Sequence, residues 1–315
     1  MKYLNSLREG MHISEVYLCK NRQIQLTKGG KEYISLVLQD KTGTVDGKVW
    51  DPASPGIADF DSADYVAVDA DVTIFNNSYQ LNIKRIRKAD EGEYTASDYL
   101  PVSEYDIGEM YAEILQYANS VKNKDLKSLL KAFFEEDGEF IARFKFSSAA
   151  KSVHHGFVGG LAEHTLSVTR MCDYMTKQYR FLNRDLLITV ALLHDAAKTL
   201  ELTPFPENDY SDAGQLIGHI VMGCEMVDEK LTALPDFDKK LALQVKHCIL
   251  AHHGQYEYGS PKKPAMAEAL ALHMADDTDA KLEIMKEFLD TDSNKGEWLG
   301  MNKLLDSNIR KTNVE

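Results

Sequence analysis

The side chains in this chain that could do chemistry are mainly histidines and aspartates. His164, the adjacent pair His194-Asp195, His219, the adjacent pair His252-His253, and Asp276 follow one another with a few tens of residues between these groups. Imidazole with carboxylate suits borderline and hard divalent ions. The absence of cysteine from these positions argues against a structural zinc site. One aspartate shared by histidines from several segments can hold two ions, and such a pair can activate water and clamp a phosphoryl group. Any one of these histidines alone has a plainer use as a core or surface residue. The ordered set is what carries information.

The positioning elements can be read around the run Leu187-Ile188-Thr189-Val190-Ala191-Leu192-Leu193, which leads straight into His194-Asp195. The run is apolar on nearly every side and predicts a buried helix. A buried carboxylate is costly unless something pairs with it, and a divalent ion is the usual partner. The other members sit similarly. His164 falls near the start of an amphipathic helix, His219 opens another, His252-His253 closes the one after Leu243 to Leu250, and Asp276 lies on a fifth. From Glu104 to about residue 290 the period is helical. Faces are marked by Met110, Ile114, Leu115 and Ala118, then by Leu126, Leu129, Leu130, Phe133 and Phe134, then by Phe140, Ile141, Phe144 and Phe146.

Residues 1 to 90 alternate with period two instead. Five strands are expected: His12 to Leu26, Lys31 to Leu38, Thr44 to Trp50, Tyr65 to Phe75 and Tyr79 to Ile83. They fit a small closed barrel of the OB type. Ile34, Leu36 and Leu38 share the inner face, as do Val66, Val68, Ala70, Val72 and Ile74, with Tyr79 beside Leu81 and Ile83. Tyr33, Lys48, Trp50 and Phe75 fall outward. OB barrels bind oligonucleotides on such a surface with aromatics as stacking platforms. Covering a domain interface is the other use for outward aromatics. A basic run, Lys84 to Lys88, follows the last strand.

The expected organisation is therefore multi-domain, α and β. It comprises an N-terminal five-stranded barrel over 1–90, a polar linker over 91–103, an all-α helical bundle over 104–290 and a tail over 291–315. The tail reads equally as a docked segment or a frayed end. With 315 residues, 44% of them hydrophobic, the chain can build substantial cores. No apolar stretch approaches the roughly 20 residues of a membrane span, and the first residues lack the apolar core of a signal peptide. The scattered cysteines read as reduced thiols, so a cytoplasmic setting is expected. A net charge of −13 argues against unaided electrostatic capture of nucleic acid. It leaves room for a local basic face or for an acidic site offset by metal.

The order H…HD…H…HH…D resembles the signature of the HD phosphohydrolase superfamily. That resemblance implies that His164, His194, Asp195 and Asp276 surround one ion. Asp195, His219, His252 and with them His253 would hold a second. Asp277 and Asp279 are alternatives for the last ligand; Asp276 is preferred because Ala-Asp-x-x-Asp matches the family spacing. Lys198, one helical turn after the HD pair, stands where related proteins use a lysine to contact phosphate or assist proton transfer. Manganese is the expected ion, with iron or cobalt as alternatives.

A barrel joined to such a domain, with His154-His155-Gly156-Phe157-Val158-Gly159-Gly160 before the first ligand, resembles the YhaM-type 3′-5′ exoribonucleases of Gram-positive bacteria. The resemblance covers almost the whole chain. It implies a hydrolase that shortens single-stranded RNA, with single-stranded DNA as a second substrate class, to nucleoside 5′-monophosphates. Assembly as a homo-oligomer is a further expectation. His154 and His155 sit in a glycine-rich loop that could admit a substrate backbone, or that could be an ordinary connection. Two rival readings stand beside this one. One is an HD phosphodiesterase for small or cyclic nucleotides; the other is a non-enzymatic single-strand-binding factor.

Overall fold

The computed structural model describes residues 2–76, 78–151, 155–291 and 296–312. It divides into two compact units, Met1–Val102 with Phe205–Glu207, and Ser103–Pro204 with Asn208–Glu315.

The first unit is a closed barrel. Its strands are β1 (His12–Leu26), β2 (Glu32–Asp40), β3 (Gly43–Val49), β4 (Tyr65–Phe75) and β5 (Ser78–Lys88), in the order β1-β2-β3-β5-β4. β3 and β5 run parallel, and the other pairings are antiparallel. The period-two pattern does what a half-buried strand requires: Ile34, Leu36 and Leu38 are buried while Tyr33, Ser35 and Val37 are less so. Gly47 lets β3 and β5 close, because a Cβ there would lie 2.8 Å from the Ile83 side chain.

Two expectations fail at one end of the barrel. Ile74 and Tyr79, assigned inward by alternation, are 48% and 43% exposed. They pair with each other near the tip of the β4–β5 hairpin. The pairing of β1 with β4 starts only at His12 opposite Asp71, so the tip runs past the strand that would cover it. β5 also continues through the basic run to Lys88 rather than ending at Ile83. Beyond it, Tyr94 stacks on Tyr65 at 3.8 Å, and Tyr99 and Leu100 are buried.

The second unit is helical. Its helices are α1 (Ile107–Ser120), α2 (Lys124–Phe134), α3 (Gly138–Phe146), α4 (Gly160–Gln178), α5 (Arg184–Leu193), α6 (Lys198–Glu201), α7 (Asp212–Leu216), α8 (His219–Thr232), α9 (Lys239–Ala251) and α10 (Ala267–Thr291). Asp106, Asn123, Asp137, Asn183 and Asp238 start α1, α2, α3, α5 and α9 by accepting first-turn amides. α5 is apolar all round because α1, α2, α4, α9 and α10 pack about it. Within the terminal segment, β6 (Trp298–Asn302) and β7 (Ser307–Arg310) pair as a hairpin. The four cysteines are free, with Cys19, Cys172 and Cys248 buried in the cores. Among the described residues no helix is long and apolar enough to cross a membrane.

Candidate metal centre

The packing of α5 explains how distant residues meet. His194 caps the C-terminus of α5, with Asp195 next to it. His164 lies one turn into α4, His219 is the first residue of α8, His252 caps α9, and Asp276 is on α10. α4, α9 and α10 pack directly on α5, and α8 packs on α9. Helix ends and first turns are thereby gathered around the buried Asp195.

Asp195 divides its two oxygens between two groups of partners. Oδ2 lies 3.3 Å from His164 Nε2, 3.4 Å from His194 Nε2 and 2.6 Å from Lys198 Nζ. Oδ1 lies 3.4 Å from His219 Nε2 and 3.6 Å from His252 Nε2. Asp276 Oδ1 completes the first group, 3.2 Å from His164 Nε2 and 3.9 Å from His194 Nε2. His253 joins the second, since donor atoms of His219, His252 and His253 lie within 4.8 Å of one another. Among the described residues, Asp195 Oδ1, His219 Nε2 and His252 Nε2 are buried without a hydrogen-bond partner. Buried polar atoms left this way are costly, and here they converge.

Each ring is aimed through its other nitrogen. Nδ1 of His194 and His252 donates to the carbonyls of Ala191 (2.8 Å) and Ile249 (2.7 Å). Nδ1 of His253 donates to the carbonyl of Tyr258 at 2.8 Å. His219 Nδ1 meets Glu201 Oε1 at 2.8 Å, and His164 Nδ1 meets Asp279 Oδ2 at 2.7 Å. A donor at Nδ1 leaves the Nε2 lone pair for a cation, the usual outer support of a metal-binding histidine.

The electrostatics agree. Burial pushes His253 down to about 4, aided by His252, and burial likewise lowers His252. Both are therefore neutral at neutral pH, as ligands must be. Burial would also lower His164, yet Asp195, Asp276 and Asp279 outweigh it and hold its pKa well above the ordinary value. A field that favours positive charge at that ring favours a cation beside it. Asp195 stays ionised despite burial because of Lys198 and His194. Orphaned Nε2 and carboxylate atoms with an all-imidazole-and-carboxylate donor set fit divalent metal.

The sequence matches the HD domain family over residues 161–281. The chain is 32% identical to the 3′-5′ exoribonuclease YhaM of Bacillus velezensis over 284 residues, 89% of this chain and 88% of that one. It is 33% identical to the YhaM of Listeria monocytogenes serotype 4b over 289 residues, 91% of each. The chain belongs to the YhaM family of 3′-5′ exoribonucleases. Among solved structures, the chain is also similar to the second OB-fold domain of replication protein A from Methanococcus maripaludis. The two share 19% identity over 29% of this chain and 96% of that one, with a TM-score of 0.22.

The outward residues of this YhaM-family barrel do not all gather. Tyr33 and Trp50 stack on each other, ring centroids 5.0 Å apart, and Lys48 Nζ donates to Ser35 Oγ at 2.6 Å beyond the intervening Ile34–Val49 pair. Phe75 is 60% exposed but pairs with Ser78, before the point where Gln80 meets Asp46. It therefore lies towards the opposite end of β3 from Trp50. The basic run is largely committed: Lys84 pairs with Asp71, Arg87 with Glu93 and Lys88 with Asp64.

In the helical unit of this YhaM-family chain, His155 is 2% exposed, its ring nitrogens face Asp279 and Glu163, and its ring lies against Phe157 and His164. His154 lies outside the described residues. Asp277 pairs with Lys281, away from the histidines, and Asp279 meets His164 at Nδ1, not Nε2. Sequence reading missed Glu201 as the support of His219. The available signal was its position one turn after Lys198, on the same helical face.

Proposed function

We propose that this chain is a metal-dependent 3′-5′ exoribonuclease that shortens single-stranded RNA, and single-stranded DNA as a second class, to nucleoside 5′-monophosphates. The observation that carries the reading is Asp195, whose Oδ2 faces His164 and His194 while Oδ1 faces His219 and His252. His164, His194, Asp195 and Asp276 would hold one ion, and Asp195, His219, His252 and His253 a second. Manganese suits this donor set best, with iron or cobalt next.

Bound ions of this kind activate water and offset charge on a phosphoryl group. The chain's own residues do the rest. Asp195 holds Lys198 at 2.6 Å, which keeps a buried ammonium beside the place where phosphoryl oxygens gain charge. Glu201 and Asp279 keep the rings of His219 and His164 in one orientation. In the reaction, the oxygen of water gives up a proton and joins phosphorus, the bond to the preceding nucleotide's 3′ oxygen breaks, and that oxygen takes up a proton to leave as the 3′ hydroxyl of the shortened strand. Trp50 is exposed and Tyr33, stacked against it, is half-buried; together they offer ring surface for bases, with Lys48 on the same face. A cytoplasmic setting and self-association complete the reading; fractionation and light scattering measure them.

The test is to incubate the purified protein with manganese and 5′-labelled single-stranded RNA and resolve the products. A ladder shortening from the 3′ end, abolished by chelation, is expected. Blocking the 3′ end should stop it; an unchanged rate on blocked RNA overturns the polarity.

A further inference from the structure

A second group of ligand-type side chains stands on the other side of His164 from Asp195. His155, Glu163 of α4 and Glu283 of α10 each place a donor atom within 4.8 Å of the others. Nε2 of His155 donates to Asp279 Oδ2 at 3.0 Å, so a neutral ring turns its Nδ1 lone pair the other way. That Nδ1 is buried and has no hydrogen-bond partner among the described residues. It faces Glu163 Oε1 at 3.7 Å. The gap is too long for a hydrogen bond. Two donors that each hold one ion at about 2 Å sit about 3–4 Å apart, which matches. Glu163 is turned this way because its Oε2 accepts the Ser103 hydroxyl at 2.6 Å. A lone pair opposed to a buried carboxylate oxygen is unfavourable, and a cation between them relieves it.

The surroundings select the sign of the ligand. A cavity of about 350 Å³ adjoins the group, lined by Asp106, Glu109, Glu113, Glu163, Asp279 and Glu283. The basic residues on the same wall are Arg170 and Lys286. Arg170 is committed to Glu113 at 2.7 Å, and Lys286 to one oxygen of Glu283 at 3.1 Å. An anion entering here meets an excess of carboxylate; a cation does not.

We propose that His155, Glu163 and Glu283 form a further divalent-cation site, distinct from the HD centre and reached through this cavity. One imidazole with two carboxylates suits a hard or borderline ion such as Mn²⁺ or Zn²⁺. The site shares no ligand with the HD centre. It is coupled to it through Asp279, whose Oδ2 receives both His155 Nε2 and His164 Nδ1. A cation on His155 strengthens that ring's donation to Asp279 and so stiffens the support of His164.

The experiment is equilibrium dialysis of the full chain against Mn²⁺, followed by elemental analysis, with melting curves alongside. Glu283→Gln should bind one manganese fewer than the unaltered protein. Glu163→Gln, tested independently, should show the same loss. Asp195→Asn weakens the HD centre; Mn²⁺ should still raise the melting temperature of this variant. The added Glu283→Gln should make that rise smaller. Equal manganese content in the unaltered protein and in folded Glu283→Gln and Glu163→Gln chains overturns the proposal.

Discussion

Oδ2 of Asp279 lies 2.7 Å from Nδ1 of His164 and turns the ring's other nitrogen towards Asp195 and Asp276. Asp279 is one helical turn beyond Asp276, so neighbouring positions on one face of α10 serve opposite nitrogens of the same ring. That arrangement separates a residue that would hold an ion from one that aims the ligand.

Asp279→Asn should weaken manganese affinity by about 10–100-fold, the usual effect of losing such support. The maximal rate at saturating manganese should stay near that of the unaltered protein. Activity followed against manganese concentration checks this. A deficit that added manganese fails to restore would mean that Asp279 does more than position His164.

Asp195→Asn and Asp195→Ala should each reduce hydrolysis to below about a tenth of the original rate, since on the proposed reading Asp195 would serve both ions. Binding of a long single strand should persist. Alanine also strands the buried Lys198 ammonium, so it should lower the melting temperature more than asparagine does. Comparable hydrolysis by the asparagine variant and the unaltered protein would remove Asp195 from the reaction.

Tyr33→Ala with Trp50→Ala should weaken binding of a 20-mer by roughly 2–6 kcal/mol, taking about 1–3 kcal/mol per stacked base. Turnover of a dinucleotide should hardly change. The two rings already lie against each other at 5.0 Å, so each single substitution should also disturb its neighbour. KM for both substrates, measured beside a melting curve, decides. Equal losses on both would mean that the rings serve packing instead.

Gly160→Ala should destabilise the protein, although alanine is ordinarily better than glycine in a helix by about 1 kcal/mol. The new Cβ would lie 2.0 Å from the His155 carbonyl oxygen. Backbone cannot yield as a side-chain tip can, so a cost of roughly 1–3 kcal/mol or more is expected. Thermal melting checks the sign.

Much of the architecture was legible because it is local. Alternation in Ile34, Leu36 and Leu38 marks a barrel strand, and the apolar run before His194 marks a buried helix. The same rule misplaced Ile74 and Tyr79, because alternation says which residues share a face and not whether another strand covers it. Phe75 shows the same gap: its outward direction was readable, but its separation from Trp50 follows from barrel register.

By itself the sequence determined the order of the ligand-type residues and their places at helix ends and first turns, since residue type and local period are written in the chain. The tertiary structure alone decided which nitrogen meets which oxygen. Asp279 and His164 are 115 residues apart, and their contact depends on how α4 and α10 pack, which no local period encodes. The same packing turned His155 inward onto Asp279 and left its Nδ1 facing Glu163. Ring orientation is set by hydrogen bonds across helices, and those exist only once the helices have docked.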